Sequence, residues 1–201
     1  LMPGERLTQE SVALMLGVSR QPVSHALQIL KRRGLLIEHG KRGLAVAPID
    51  AQRIRDLYQV REALEGLGAA LAARRAKAGV LTEPERREAE RTLAKGSALG
   101  PAASIGTLVG ADAAFHSILH RLSGNTAIAE TIADEWPHFM RSMARVLTDG
   151  SIRQRVWREH AQILAAILAG KPAEAERLAR NHTGRAGEET AAKLDLKRSV
   201  A

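Results

Sequence analysis

From Arg20 to Gly34 the apolar and polar positions follow a helical period. Val23, Ala26, Leu27 and Leu30 fall on one stripe, leaving Arg20, Gln21, Ser24, His25 and Gln28 on the opposite face. The small-residue turn Gly17-Val18-Ser19 precedes this helix, and Thr8 stands where an N-cap would open a shorter one running through Met15. After Gly34 the pattern shortens. Residues 35–38 and 43–47 read as two strands around the hairpin tip His39-Gly40-Lys41-Arg42. Two helices across a tight turn followed by a β-hairpin make a winged helix-turn-helix, and Pro48-Ile49-Asp50 marks its end. Beyond it the period is helical throughout. Ile54, Leu57, Tyr58, Leu64, Leu67 and Leu71 predict one face of a helix of about 27 residues. Further helices are expected over 82–96, 102–122, 126–147, 151–169 and 172–194, separated by Gly- and Pro-containing breaks. The fold class is mainly α: a winged-helix domain over residues 1–48 and an all-helical bundle over 49–201.

Composition narrows the function. Hydrophobic residues make up 45% of the chain but aromatics only 2%, so the core must be aliphatic, in keeping with helices. The net charge is +8, and half of that excess sits in the first 49 residues, which draws this part of the chain toward polyanions. With no cysteine, disulfides and thiolate metal sites are excluded. No apolar run is long enough to cross a membrane and no signal sequence leads the chain, so a soluble cytoplasmic protein is expected.

A turn leading into a helix with donor-rich outward positions is the arrangement that reads a DNA major groove. Ser19, Arg20, Gln21, Ser24 and His25 are its candidate contacts, with His39 and Gly40 at the wing tip. The basic run Lys31-Arg32-Arg33 has a simpler use at a helix C-terminus, where positive charge complements the dipole.

The helical half carries a second pattern. Asp112 and His116 lie four apart and therefore on one helix face. His160 lies ten residues before Gly170 and His182 twelve after it, so an antiparallel hairpin places both imidazoles at similar height. Three imidazoles and a carboxylate suit a divalent ion, zinc first, with nickel or manganese as alternatives. Arg61 falls on the otherwise apolar stripe of its helix and needs an anionic partner, either a bound organic acid or Glu65 one turn on. Arg141 is a candidate second contact for such an acid. His120 is expected at the polar surface. Glu135 and His138 form a single Glu-x-x-His, with Pro137 inside it, which is too little for a di-iron carboxylate site.

The chain resembles the GntR type of bacterial transcription regulators. Over residues 1–47 the resemblance rests on Pro3-Gly4 with Leu7, Leu16-Gly17-Val18-Ser19-Arg20, Pro22-Val23, Ala26-Leu27 and Gly34-Leu35. It implies that the winged helix lacks its first helix here, that Arg20 contacts an operator and that His39 and Gly40 enter the minor groove. Glu10 and Ser24 stand where that family usually has Arg. Residues 50–195 resemble the FCD domain of the FadR-type branch. The matching stretches are 56–65, Asp112 to His116 with Ser123-Gly124-Asn125, 159–167 and, loosely, 178–182. The resemblance implies that Asp112, His116, His160 and His182 bind a divalent metal facing a pocket for a small carboxylate effector. Together with the two-fold geometry of operators, it also implies a homodimer on double-stranded DNA. The expected protein is thus a ligand-responsive, non-enzymatic transcriptional regulator. A metal with open positions would also suit a hydrolase, but no general base stands at a suitable spacing. An architectural DNA binder would leave the metal pattern without a purpose.

Overall fold

The computed structural model describes residues 3–40 and 43–198, with side chains through Leu196. Two compact units separate after Asp50.

The first unit holds β1 (Arg6–Leu7), α1 (Gln9–Leu16), α2 (Arg20–Arg32), β2 (Leu36–His39) and β3 (Gly43–Val46). Thr8 caps α1 reciprocally with Ser11, and Gly17 ends the helix at φ 65°, a left-handed conformation that glycine adopts without strain. Val23 and Leu27, one turn apart on α2, close a small core with Leu7, Ala13, Leu36 and Val46. The expected apolar stripe is narrower than its pattern: Ala26 and Leu30 are exposed, because α1 and the sheet together cover only one side of α2. The wing gains a third strand. β1 pairs antiparallel with β3, Leu7 opposite Leu44, giving the order β1-β3-β2. A two-residue strand has no alternation for a sequence pattern to reveal. In the hairpin His39 pairs with Gly43, where a Cβ would fall 2.8 Å from the His39 carbonyl oxygen, so only glycine fits without a shift. Lys41 and Arg42 of the expected tip lie outside the described residues.

The second unit is helical: α3 (Ala51–Lys77), α4 (Glu83–Ser97), α5 (Ile105–Ser123), α6 (Thr126–Ala133), α7 (Trp136–Val146), α8 (Gly150–Leu168) and α9 (Pro172–Arg198). Its core gathers Phe115, Leu119, Leu122, Ile163 and Ile167 around the alanines of α3 and α9. α3 has the expected length, but its buried face corrects the expected stripe. Ile54, Leu57 and Tyr58 are buried; farther along, Gly68, Ala69, Ala72, Ala73 and Ala76 face inward, while Leu67 is exposed and Leu64 and Leu71 are half-buried. The cause is close helix packing. A Cβ on Gly187 of α9 would sit 2.6 Å from Tyr58 Cβ, and one on Gly66 would sit 2.5 Å from Arg180 Cγ, so α3 and α9 approach through small residues. The helix expected over 126–147 is two helices, interrupted at Asp134 and Glu135. Pro137 explains the break: it cannot donate a helical hydrogen bond, and it is tolerated in the first turn of α7. α8 and α9 form the expected hairpin, turning at Gly170 with φ 66°.

Candidate metal centre and nucleic-acid interface

Asp112 and His116 on α5, His160 in the middle of α8 and His182 on α9 are all buried and all converge. His160 Nε2 lies 3.1 Å from His182 Nε2. The Asp112 carboxylate sits between two rings, Oδ2 at 3.7 Å from His116 Nε2 and Oδ1 at 3.7 Å from His160 Nε2. One donor nitrogen from each histidine lies within 4.8 Å of the others. Donors bound to one ion at about 2.0–2.2 Å stand roughly 3–3.5 Å apart in a tetrahedron, so a small adjustment of these side chains suits a zinc-sized ion.

What surrounds the rings also suits an ion. Glu159 Oε2 faces His182 Nδ1 at 2.8 Å, which leaves Nε2 as the free lone pair. Glu65 Oε1 lies 3.0 Å from His116 Nδ1. His160 is held by aromatic rings instead: it stacks on Phe115 at 4.0 Å and 15°, and Trp157 meets it edge-on at 4.9 Å. Burial, then the neighbouring His182 and His116, push the His160 pKa well below the usual imidazole value. Burial also lowers that of His116, against the pull of Glu65. Neutral imidazole is the form that ligates a metal.

A cavity of about 30 Å³ adjoins this cluster, bounded by Tyr58, Arg61, Met143, Thr183 and Thr190 beside Asp112, His116 and His182. That volume holds one or two waters, so anything larger requires side-chain movement. The buried hydroxyl Thr183 Oγ1 has no hydrogen-bond partner among the described residues, and the buried Tyr58 Oη has Ser142 and Thr190 as its neighbouring hydroxyls. Arg61 donates from Nε to Glu65 Oε1 at 3.1 Å, and its guanidinium lies 4.9–5.5 Å from the ring centres of Tyr58, Trp136 and Phe139. Glu65 is therefore the anionic partner within the chain, and Arg61 also borders the cavity. Arg141 is half-buried on α7 and is not among the residues that border this cavity, although Met143 and Val146 of the same helix are. His120 corrects an expectation. It is buried, with Nε2 3.1 Å from Glu65 Oε2, since the α5 face that carries His116 carries His120 one turn later. Sequence reasoning missed Glu65 and Glu159 as members of the site. The only signals were Glu65 at i+4 from Arg61 and Glu159 preceding His160.

In the first unit Arg20 opens α2, exposed, with Nη2 2.6 Å from Glu10 Oε1. Ser19 is the N-cap residue but makes no capping bond with its side chain. Gln21 and His25 are exposed. Ser24 departs from its expected outward position: half-buried, it accepts a 3.1 Å hydrogen bond from Gln9 Nε2 of α1. His39 ends β2 half-buried, and Gly40 follows, exposed, at φ 65°. Lys31 Nζ is 2.5 Å from Glu38 Oε1 and so ties α2 to the wing strand.

Comparisons with known proteins agree with both halves. The family described as bacterial regulatory proteins, gntR family, matches residues 1–46, and the FCD domain matches residues 56–185. An HTH-type transcriptional regulator in an unstable DNA locus of Streptomyces ambofaciens is 31% identical over 186 residues, covering 90% of this chain and 74% of that protein. The HTH-type transcriptional regulator YdhC of Bacillus subtilis is 25% identical over 169 residues, covering 82% and 72% respectively. Among solved structures, E. coli McbR/YncC superposes with a TM-score of 0.77 at 20% identity, over 98% of this chain and 90% of that one. The winged helix, the helical unit and these matches lead to one family: the chain belongs to the GntR family of bacterial regulatory proteins, as a transcriptional regulator that carries an FCD domain.

Proposed function

We propose that the protein is a homodimeric, ligand-responsive regulator whose helical unit, residues 49–201, holds a divalent metal and a small carboxylate, and whose winged helix, residues 1–48, binds an operator accordingly. The observation that carries this reading is the convergence of three Nε2 atoms and the Asp112 carboxylate beside a cavity bordered by Arg61. Asp112, His116, His160 and His182 would hold the ion, with zinc ahead of nickel or manganese on donor type. The ion would supply a fixed positive charge toward which a carboxylate can orient. Tyr58 and Thr183 would offer it hydroxyls, and Arg61 a charge-assisted contact.

Arg20, Gln21 and His25, with Ser19 at the helix start, are the contacts proposed for the major groove, and His39 and Gly40 those for the adjacent wing site. Ser24, engaged by Gln9, contributes only if that bond opens. Effector binding would act by favouring one of two arrangements of the winged helices over the other. No helix among the described residues is long and apolar enough to cross a membrane, in keeping with a regulator that meets its DNA in the cytoplasm. The test is operator binding by the purified protein, measured as isolated, after removal of metal with a chelator and after adding zinc back, each with and without a panel of small mono-, di- and tricarboxylates. A carboxylate-dependent change in affinity that disappears with the metal is expected. Operator binding indifferent to both would overturn the sensing half of the reading.

A further inference from the structure

Glu65 is a buried carboxylate with three basic groups around it, and the metal reading assigns it no role. Its Oε1 accepts from Arg61 Nε at 3.1 Å and lies 3.0 Å from His116 Nδ1, while Oε2 lies 3.1 Å from His120 Nε2. His116 Nδ1 and His120 Nε2 are fully buried nitrogens lacking a well-aligned hydrogen bond. For each, Glu65 is the carboxylate in reach, and a small rotation of that group aligns it. Leaving either N–H unpaired in this interior would be costly. The far side of the His116 ring presents Nε2 to Asp112.

We propose that Glu65 is a positioning residue for the metal centre: it fixes His116 as the Nδ1–H tautomer, so that Nε2 keeps its lone pair for an ion, and joins that ring to the cavity cation Arg61 through one shared oxygen. The proposal rests on the metal reading above. Glu159 does the same for His182 from the protein's outer side, with Arg185 Nη1 at 2.5 Å from its other oxygen. Among the described residues His160 has no such partner, its Nδ1 being buried and unbonded, and it takes its orientation from Phe115 and Trp157. The three imidazoles are thus unequal donors. The two backed by carboxylates have their tautomer and ring orientation fixed, and His116 is the one connected to the cavity.

Two measurements test this. Long-range proton–nitrogen correlation spectra of the metal-free wild type should show His116 protonated on Nδ1; protonation on Nε2 overturns the proposal. This readout decides the placement whether or not the wild type binds zinc, which keeps it separate from the metal reading. In the second, zinc affinity is measured by competition with a chromophoric chelator. Replacing the buried pair together, Arg61→Met with Glu65→Leu, removes the carboxylate without stranding the guanidinium. The double variant should lose about 10–100-fold in zinc affinity, whereas Glu65→Gln, which keeps an acceptor oxygen for Nδ1–H, should recover most of it. Wild-type affinity in the folded double variant, or equal losses in both variants, overturns the proposal.

Discussion

His160 Nε2 and His182 Nε2 face each other at 3.1 Å although 22 residues separate them. The α8–α9 hairpin brings them level, and neither ring can leave, since both are buried. If His182 donates from Nδ1 to Glu159, its Nε2 is a lone pair directed at a second imidazole. A cation or a shared proton between the two nitrogens relieves that opposition, and the proximity of Asp112 favours the cation.

His160→Ala removes the central donor. Elemental analysis should find about one zinc, nickel or manganese ion per chain in the wild type and none at stoichiometric level in the variant; full retention in the variant would refute the four-ligand assignment.

Stability of the metal-free protein should depend on pH in a direction fixed by burial. The folded His160 pKa lies well below its ordinary 6.5, so below that pH the unfolded chain binds more protons than the folded one. The contribution is present above about pH 6.5 and drains away as pH falls. Burial opposes ionisation of Glu65, yet His116, His120 and Arg61 hold its pKa well below 4.5, which adds a loss at still lower pH. Thermal melts of the chelated protein from pH 8 to pH 4 should show a Tm that declines steadily below neutrality. A Tm that stays flat to pH 5 would contradict a neutral buried His160.

Arg20→Ala should weaken operator binding by about 1–3 kcal/mol if its guanidinium reads a base edge. Its ion pair with Glu10 is exposed at both ends, and such pairs are worth about 0–1 kcal/mol. Glu10→Gln should therefore tighten binding no more than a few-fold. Gel-shift or anisotropy titrations at fixed salt compare the two, and an unchanged affinity for Arg20→Ala would remove it from the interface.

Gly96→Ala tests the wall behind His160. A Cβ there would lie 1.8 Å from Trp157 Cη2, so the indole must move, at a cost of about 1–3 kcal/mol. Both the Tm and the zinc affinity should drop, because Trp157 is one of the two rings that hold His160 in place. A variant with wild-type values for both would show that this contact has no bearing on the site.

The winged helix was legible because each of its parts leaves a local mark: a cap at Thr8, glycine at position 17, a two-sided α2 and a turn before β3. The pairing of Asp112 with His116 was legible from helical period, and that of His160 with His182 from their matched distances to Gly170; that the two pairs meet was implied by the family resemblance. What escaped depends on partners remote in sequence. Along α3 the leucines drew the expected stripe outward, while glycines and alanines won the interior because α9 needs close approach there. Glu65 read only as one of two alternative partners for Arg61, since nothing local places the α5 histidines against it. The uninterrupted 126–147 period likewise hid the break between α6 and α7 that Pro137 enforces.

The chain has only two tryptophans, and each ring abuts a different imidazole of the cluster, Trp157 against His160 and Trp136 against His116. Their intrinsic emission is therefore a label-free reporter lodged beside the proposed seat of an ion. A paramagnetic guest such as Cu²⁺ would darken both indoles at once, and swapping either for phenylalanine would tell from which flank the light was lost.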